Sequence, residues 1–144
     1  MVAQSVLFAV VVATGIAGPN WPRSAPTALT ATGWIIGAVG IALVVAGIVA
    51  LGSSLSPYPK PSDGSTFRQG GAYRLVRHPI YGGFVLLAAG WSLVTSPLAL
   101  VPTALLWATF ELKSRVEEGL LVKRYPGYEP YRERVRWRLV PWVH

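Results

Sequence analysis

Arg77-His78-Pro79-Ile80-Tyr81-Gly82-Gly83 sets a guanidinium, an imidazole and a phenol ahead of an apolar run, and Glu117-Glu118 ends 40 residues after His78. Ionisable groups at the edge of an apolar segment are expensive in lipid and mark function. A histidine beside a proline at the mouth of such a segment is the first place to look for chemistry. If the two stretches meet, His78, Tyr81 and two carboxylates form a pocket at a membrane–water boundary. One side of that pocket takes a water-soluble cofactor, and the other takes an apolar substrate from the bilayer.

The composition supports a bilayer setting. The chain has 144 residues, enough for one domain over 1–144; 52% are hydrophobic and 13% charged, with a mean hydropathy of +0.45. Soluble domains carry roughly 25% charged residues. There is no cysteine, which excludes a disulfide framework, a thiolate zinc site and a cysteine nucleophile; no metal site is expected. The net charge of +7 fits either nucleic acid or anionic lipid. In so apolar a chain, membrane lipid is the expected partner and nucleic acid is not.

Four apolar runs must carry the chemistry. Residues 2–18 reach about 25 Å as a helix, against a bilayer core of ~30 Å. A signal peptide is the rival reading, but nothing basic precedes Arg23. A loop with three prolines and Trp21 follows, and Thr27 or Thr30 is placed to cap the next helix. Residues 28–51 are the clearest transmembrane segment. There Gly33 and Gly37, continued by Ala38, Ala42 and Ala46, form a small-residue stripe for packing within the chain, with room for a homodimer seam. Residues 52–76 break with Pro57, Pro59 and Pro61 and form a long loop. Residues 79–95 and 98–112 form a helical hairpin around Ser96-Pro97, and the second helix runs on to about Arg124. Tyr125-Pro126-Gly127-Tyr128 is a turn, and the arginines of 132–138 alternate with apolar residues as an extended or interfacial tail.

Lys60, Arg68, Arg74 and Arg77 precede the third run, and Lys113, Arg115, Lys123, Arg124 and the tail arginines follow the fourth; only Arg23 lies elsewhere. Four crossings put both clusters and both termini on one side, which the positive-inside rule makes cytoplasmic. The expected architecture is an all-α integral membrane domain: four transmembrane helices, a carboxy-terminal hairpin, and a cytoplasmic loop and tail. Residues 1–57 form a two-helix anchor and 58–144 the catalytic part.

The carboxy-terminal half resembles the membrane methyltransferase superfamily that includes isoprenylcysteine carboxyl methyltransferases and phospholipid N-methyltransferases. The pattern runs from Gly71-Ala72-Tyr73 through Arg77-His78-Pro79-Ile80-Tyr81-Gly82, a hairpin, Glu117-Glu118 and Leu121, Tyr128 and Tyr131, to Pro141, over about 58–142. The resemblance implies S-adenosylmethionine as cofactor and a lipophilic acceptor. It implies cofactor contacts at Ser65, Thr66, Phe67, Arg68, Tyr73, His78, Pro79, Ile80, Tyr81, Glu117 and Glu118, with His78, Tyr81 and Glu117 at the chemistry. Lys113 stands where the isoprenylcysteine enzymes place a substrate-contacting arginine, and a lysine lacks the two-pronged grip on a carboxylate. Arg115 is the other candidate substrate contact, about 200° around the helix from Lys113. Phospholipid N-methylation is the alternative activity, and a non-catalytic scaffold binding anionic lipid is the alternative of another class.

Plainer readings of the same residues remain. His78 also reads as a helix cap, and Lys113 with Glu117, at i and i+4, as an ion pair worth a few tenths of a kcal/mol. Glu118 lies about 100° from Glu117 and reads equally as solvated. Tyr128 and Tyr131 read as structural, and the tail arginines as lipid contacts.

Overall fold

A computed structural model describes residues 2–22, 25–52 and 69–143. Its described residues are helical, with no strand: α1 (Val2–Ala17), α2 (Thr27–Leu51), a 3₁₀ turn (Gly71–Arg74), α3 (Pro79–Thr95), a second 3₁₀ turn (Pro97–Ala99), α4 (Leu100–Arg124) and α5 (Tyr128–Arg134). The helix bounds read from the four apolar runs hold to within two residues. Ser65, Thr66, Phe67, Arg68, Lys60 and Arg23 lie outside the described residues.

Local chemistry explains the boundaries. Pro79 opens α3 at its first helical position, where a fixed φ helps and the missing N–H is no loss. Ser96 ends α3 in an extended conformation; its hydroxyl donates to Pro19 O (2.7 Å) and accepts from Leu98 N–H (3.2 Å). It thereby ties the end of α1 to the α3–α4 turn. Neither Thr27 nor Thr30 caps α2: Pro26 holds the cap position, and no side-chain cap bond forms.

α3 is central and packs against α1, α2 and α4, while α1 also lies along α4. Its closest partner is antiparallel α2. A Cβ on Gly40 would lie 2.7 Å from Gly83 O, and one on Gly90 would lie 2.6 Å from Gly37 N. Gly33, Gly40 and Gly47 are the buried residues of α2, seven apart, and they meet Gly90, Gly83 and Ile80 in turn. The stripe expected from Gly33 and Gly37 through Ala38, Ala42 and Ala46 is therefore displaced. Those alanines are exposed, and the seam follows the seven-residue glycine spacing. Without a hydrophobic drive between helices in lipid, such close backbone approach is what holds them together. Gly40→Val is expected to force the backbones apart and destabilise the bundle by about 1–3 kcal/mol, whereas Gly37→Ala, with open space at its Cβ, is tolerated. Thermal unfolding of both variants in detergent checks this; equal melting temperatures would contradict it.

Outside that seam α2 presents Trp34, Ile35, Val39, Val45 and Val49 to the surroundings. Only 11% of its most apolar window is buried, and it is the one described helix long and apolar enough to cross a membrane. α1 and α3 are apolar but shorter, at 16 and 17 residues. The other core unites Val11, Val85, Ala88, Leu106, Phe110 and Leu139, drawn from α1, α3, α4 and the tail.

The tail corrects in part the expectation of an extended or interfacial segment over the arginines of 132–138, since Arg132 and Arg134 are helical. Residues 128–134 form α5, because Tyr128 and Tyr131 share a helical face and bury it against Leu121, Val122 and Tyr125. Only 135–143 is non-helical.

Candidate active site

The start of α3, the end of α4 and residues 135–139 converge at one end of the bundle. Gly82 makes the convergence possible: a Cβ there would sit 1.8 Å from Leu139 O. Beside it, Arg77 N–H donates to Trp137 O and His78 N–H to Arg138 O, each at 2.9 Å. The second glycine of the motif faces the other way, since a Cβ on Gly83 would meet Gly40 O at 2.7 Å and Val44 Cγ2 at 2.6 Å. The glycine pair thus lets the tail approach one side of α3 and α2 the other.

His78 lies between both glutamates. Its Nε2 is 3.2 Å from Glu118 Oε1 and its Nδ1 is 3.7 Å from Glu117 Oε2. Tyr81 donates its hydroxyl to Glu117 Oε1 at 2.7 Å. Lys113 Nζ is 3.9 Å from the same oxygen and 4.8 Å from the centre of the Tyr81 ring. The Tyr81 ring stacks on His78 (5.6 Å, 4°) and on Phe110 (4.8 Å, 17°). Phe110 stacks in turn on Phe84, and Phe84 meets Phe8 of α1 edge-on. This aromatic column anchors the polar cluster in the apolar core.

The two glutamates differ. Glu117 keeps 16% of its side chain exposed, whereas Glu118 keeps 5%. Glu118 Oε1 takes Arg77 Nε at 2.8 Å and His78 Nε2 at 3.2 Å, with Arg138 Nε at 3.4 Å. It lies beyond the apolar half of α4, which ends near Leu112. Burial alone would raise its carboxyl, but hydrogen bonds from His78 and Arg77, reinforced by their charges, hold it down at about 2, below the ordinary 4.5. A folded-state value below the unfolded one stabilises the fold above pH 4.5 and is lost as pH falls toward 2. Acidification through that window is expected to loosen the tail, seen as lower amide protection, relative to the intrinsic exchange rate at each pH, at Arg77 and His78; protection unchanged down to pH 2.5 would contradict it. Tyr73 is pushed up to about 12 by burial and then by the charge of Glu117. Its backbone carbonyl accepts the Tyr131 hydroxyl at 2.7 Å, which makes Tyr131 structural, as expected.

Pro79 and Ile80, expected at the cofactor, turn toward Gly47 of α2. Arg115 is exposed and pairs with Glu111 at 3.2 Å. Arg138, read from the sequence as a lipid contact, pairs with Glu111 and approaches Glu118. Arg134 donates to Gln69 at 2.6 Å. Sequence reasoning missed Glu111, Arg138 and the bonding of Arg77. The available signal was Glu111 and Glu118 seven apart on one face of α4, opposite a basic tail.

The sequence pattern of the phospholipid methyltransferase family matches residues 28–127, so α2 falls within the family and not merely the part from residue 58. The chain belongs to the phospholipid methyltransferase family, and with its apolar, lipid-ready α2 it is a membrane protein. Two proteins named probable protein-S-isoprenylcysteine O-methyltransferase, from Oryza sativa subsp. indica and subsp. japonica, are each 31% identical over 115 residues. The alignments cover 71% of this chain and 60% of each relative, so the chain spans less than two thirds of their length.

Proposed function

We propose that this protein transfers a methyl group from S-adenosylmethionine to the carboxylate of a lipophilic acceptor at the cytoplasmic face of the membrane. The observation that carries this reading is the partly open Glu117 carboxylate, held by Tyr81 and flanked by His78 and Lys113 where α3 and α4 meet. The donor set fits the cofactor: a carboxylate binds amino or hydroxyl groups, and the aromatic faces of Tyr73 and Tyr81 favour a cation. When bound, S-adenosylmethionine supplies an electrophilic methyl on a sulfonium. Glu117, Tyr81, His78 and Tyr73 would hold and orient it, together with Ser65, Thr66, Phe67 and Arg68 by resemblance. Lys113 offers a point charge to the acceptor carboxylate. Methyl transfer would cancel the donor's positive charge and the acceptor's negative charge, leaving a thioether and an ester. Positioning and exclusion of water supply the acceleration, and no general base is needed.

We further read the bundle as four crossings with both termini cytoplasmic. The support is the antiparallel order of the helices and the basic residues gathered at the end that carries His78 and Glu117. The relatives' names point to a prenylcysteine-like acceptor. The test is incubation of the detergent-solubilised protein with methyl-labelled donor, a total lipid extract and a farnesylated cysteine. Base-labile label in the farnesylated cysteine or another carboxyl lipid is expected. Label confined to phosphatidylethanolamine derivatives would replace the carboxyl reading by amine methylation, and no label in any fraction would remove both.

A further inference from the structure

Glu117-Glu118 reads as a unit in the sequence, but the two carboxylates have different neighbours. Two adjacent residues, Arg77 through Nε and His78 through Nε2, hydrogen-bond one oxygen of Glu118, and from the tail Arg138 Nε lies 3.4 Å from the same oxygen without a hydrogen bond. At 5% exposure its side chain has no face left for a ligand. Arg77 also donates to the tail, with one terminal guanidinium nitrogen 2.8 Å from Val135 O and 2.9 Å from Arg136 O. Arg138 also reaches Glu111, two turns earlier on α4. Glu118 thus fixes, through Arg77 and Arg138, the strand of backbone that forms one wall of the site. Through Nε2 it fixes the imidazole, leaving Nδ1 toward Glu117. Buried ion clusters are often no more stabilising than apolar packing, and their better-attested use is to select one arrangement.

We infer that Glu118 is a positioning residue and not a cofactor ligand: it clamps residues 135–139 against the start of α3 and aims His78 at Glu117. The role in turnover rests on the methyltransferase reading; the clamp does not.

The experiment compares Glu118→Gln with wild type in the full chain, by amide exchange, by calorimetry with S-adenosylhomocysteine, and by steady-state methyl transfer. The Arg77 and His78 amides, which bond the tail, are expected to exchange at least ~10-fold faster in the variant. kcat is expected to fall at least ~10-fold while the donor KM and the product Kd stay within about threefold. A Kd weakened tenfold or more with unchanged exchange would make Glu118 a ligand and overturn the inference. Unchanged exchange with unchanged kcat would overturn it too. Arg77→Lys, which keeps the charge but lacks the second prong, provides an independent variant should Glu118→Gln not fold; faster exchange at His78 with product binding retained is expected, and unchanged exchange is contrary. If wild type neither binds the product nor transfers methyl, the methyltransferase reading is lost, and the exchange comparison still decides the clamp.

Discussion

Glu117→Gln is expected to weaken binding of S-adenosylhomocysteine about 10- to 100-fold, because a charge-assisted hydrogen bond is worth roughly 1.5–3 kcal/mol. The amide keeps the size of the side chain and still accepts the Tyr81 hydroxyl, so the loss reports the charge. Tyr81→Phe separates the contributions further. It removes the 2.7 Å bond to Glu117 but leaves the ring between His78 and Phe110, so a loss of only about 2- to 10-fold is expected. Calorimetric titration of the three proteins checks the order. Product binding by Glu117→Gln equal to wild type would remove Glu117 from the cofactor site and, with it, the main support for the proposed chemistry.

Gly82→Val is expected to abolish methyl transfer while sparing the helical bundle. A Cβ at residue 82 would fall 1.8 Å from Leu139 O and 2.7 Å from its carbonyl carbon, and the obstacle is backbone, which no rotamer change relieves. The tail must leave, taking with it the bonds to Arg77 and His78 and the Leu139 contribution to the core. Burial of a leucine side chain is worth about 1.5–3 kcal/mol, and the ion cluster behind it is left unpaired. Unchanged helical circular dichroism with loss of more than ~99% of activity, about 2.7 kcal/mol in the barrier, is the expected signature. Wild-type activity in Gly82→Val would show that the tail is not part of the working site.

The four long helices were legible because hydropathy, prolines and turn residues all agreed. Pro79 and Ser96-Pro97 mark the α3 boundaries, and both act as their chemistry dictates. The meeting of His78 with Glu117 was inferred from charge bias and resemblance, and the structure brings the two within 3.7 Å. Less legible was anything set by long-range complementarity. The α2–α3 seam follows Gly40 against Gly83, which no local count of small residues on α2 alone selects. α5 was hidden because the alternating arginines imitate an extended segment, while the buried tyrosine face decides for helix. Arg138 looked like its neighbours in sequence; only Glu111 and Glu118, coming from α4, distinguish it.

The guanidinium of Arg77 grips carbonyls 58 and 59 positions downstream. During synthesis those carbonyls leave the ribosome only after α3 and α4 have been made and are available for insertion. The apolar bundle can therefore assemble before residues 135–139 reach the start of α3, and on the proposed methyltransferase reading the nascent chain stays inert until they fold back. A truncation within that segment would yield a correctly inserted but incompetent protein, so abundance in the membrane and catalytic competence become separable quantities in any screen of variants.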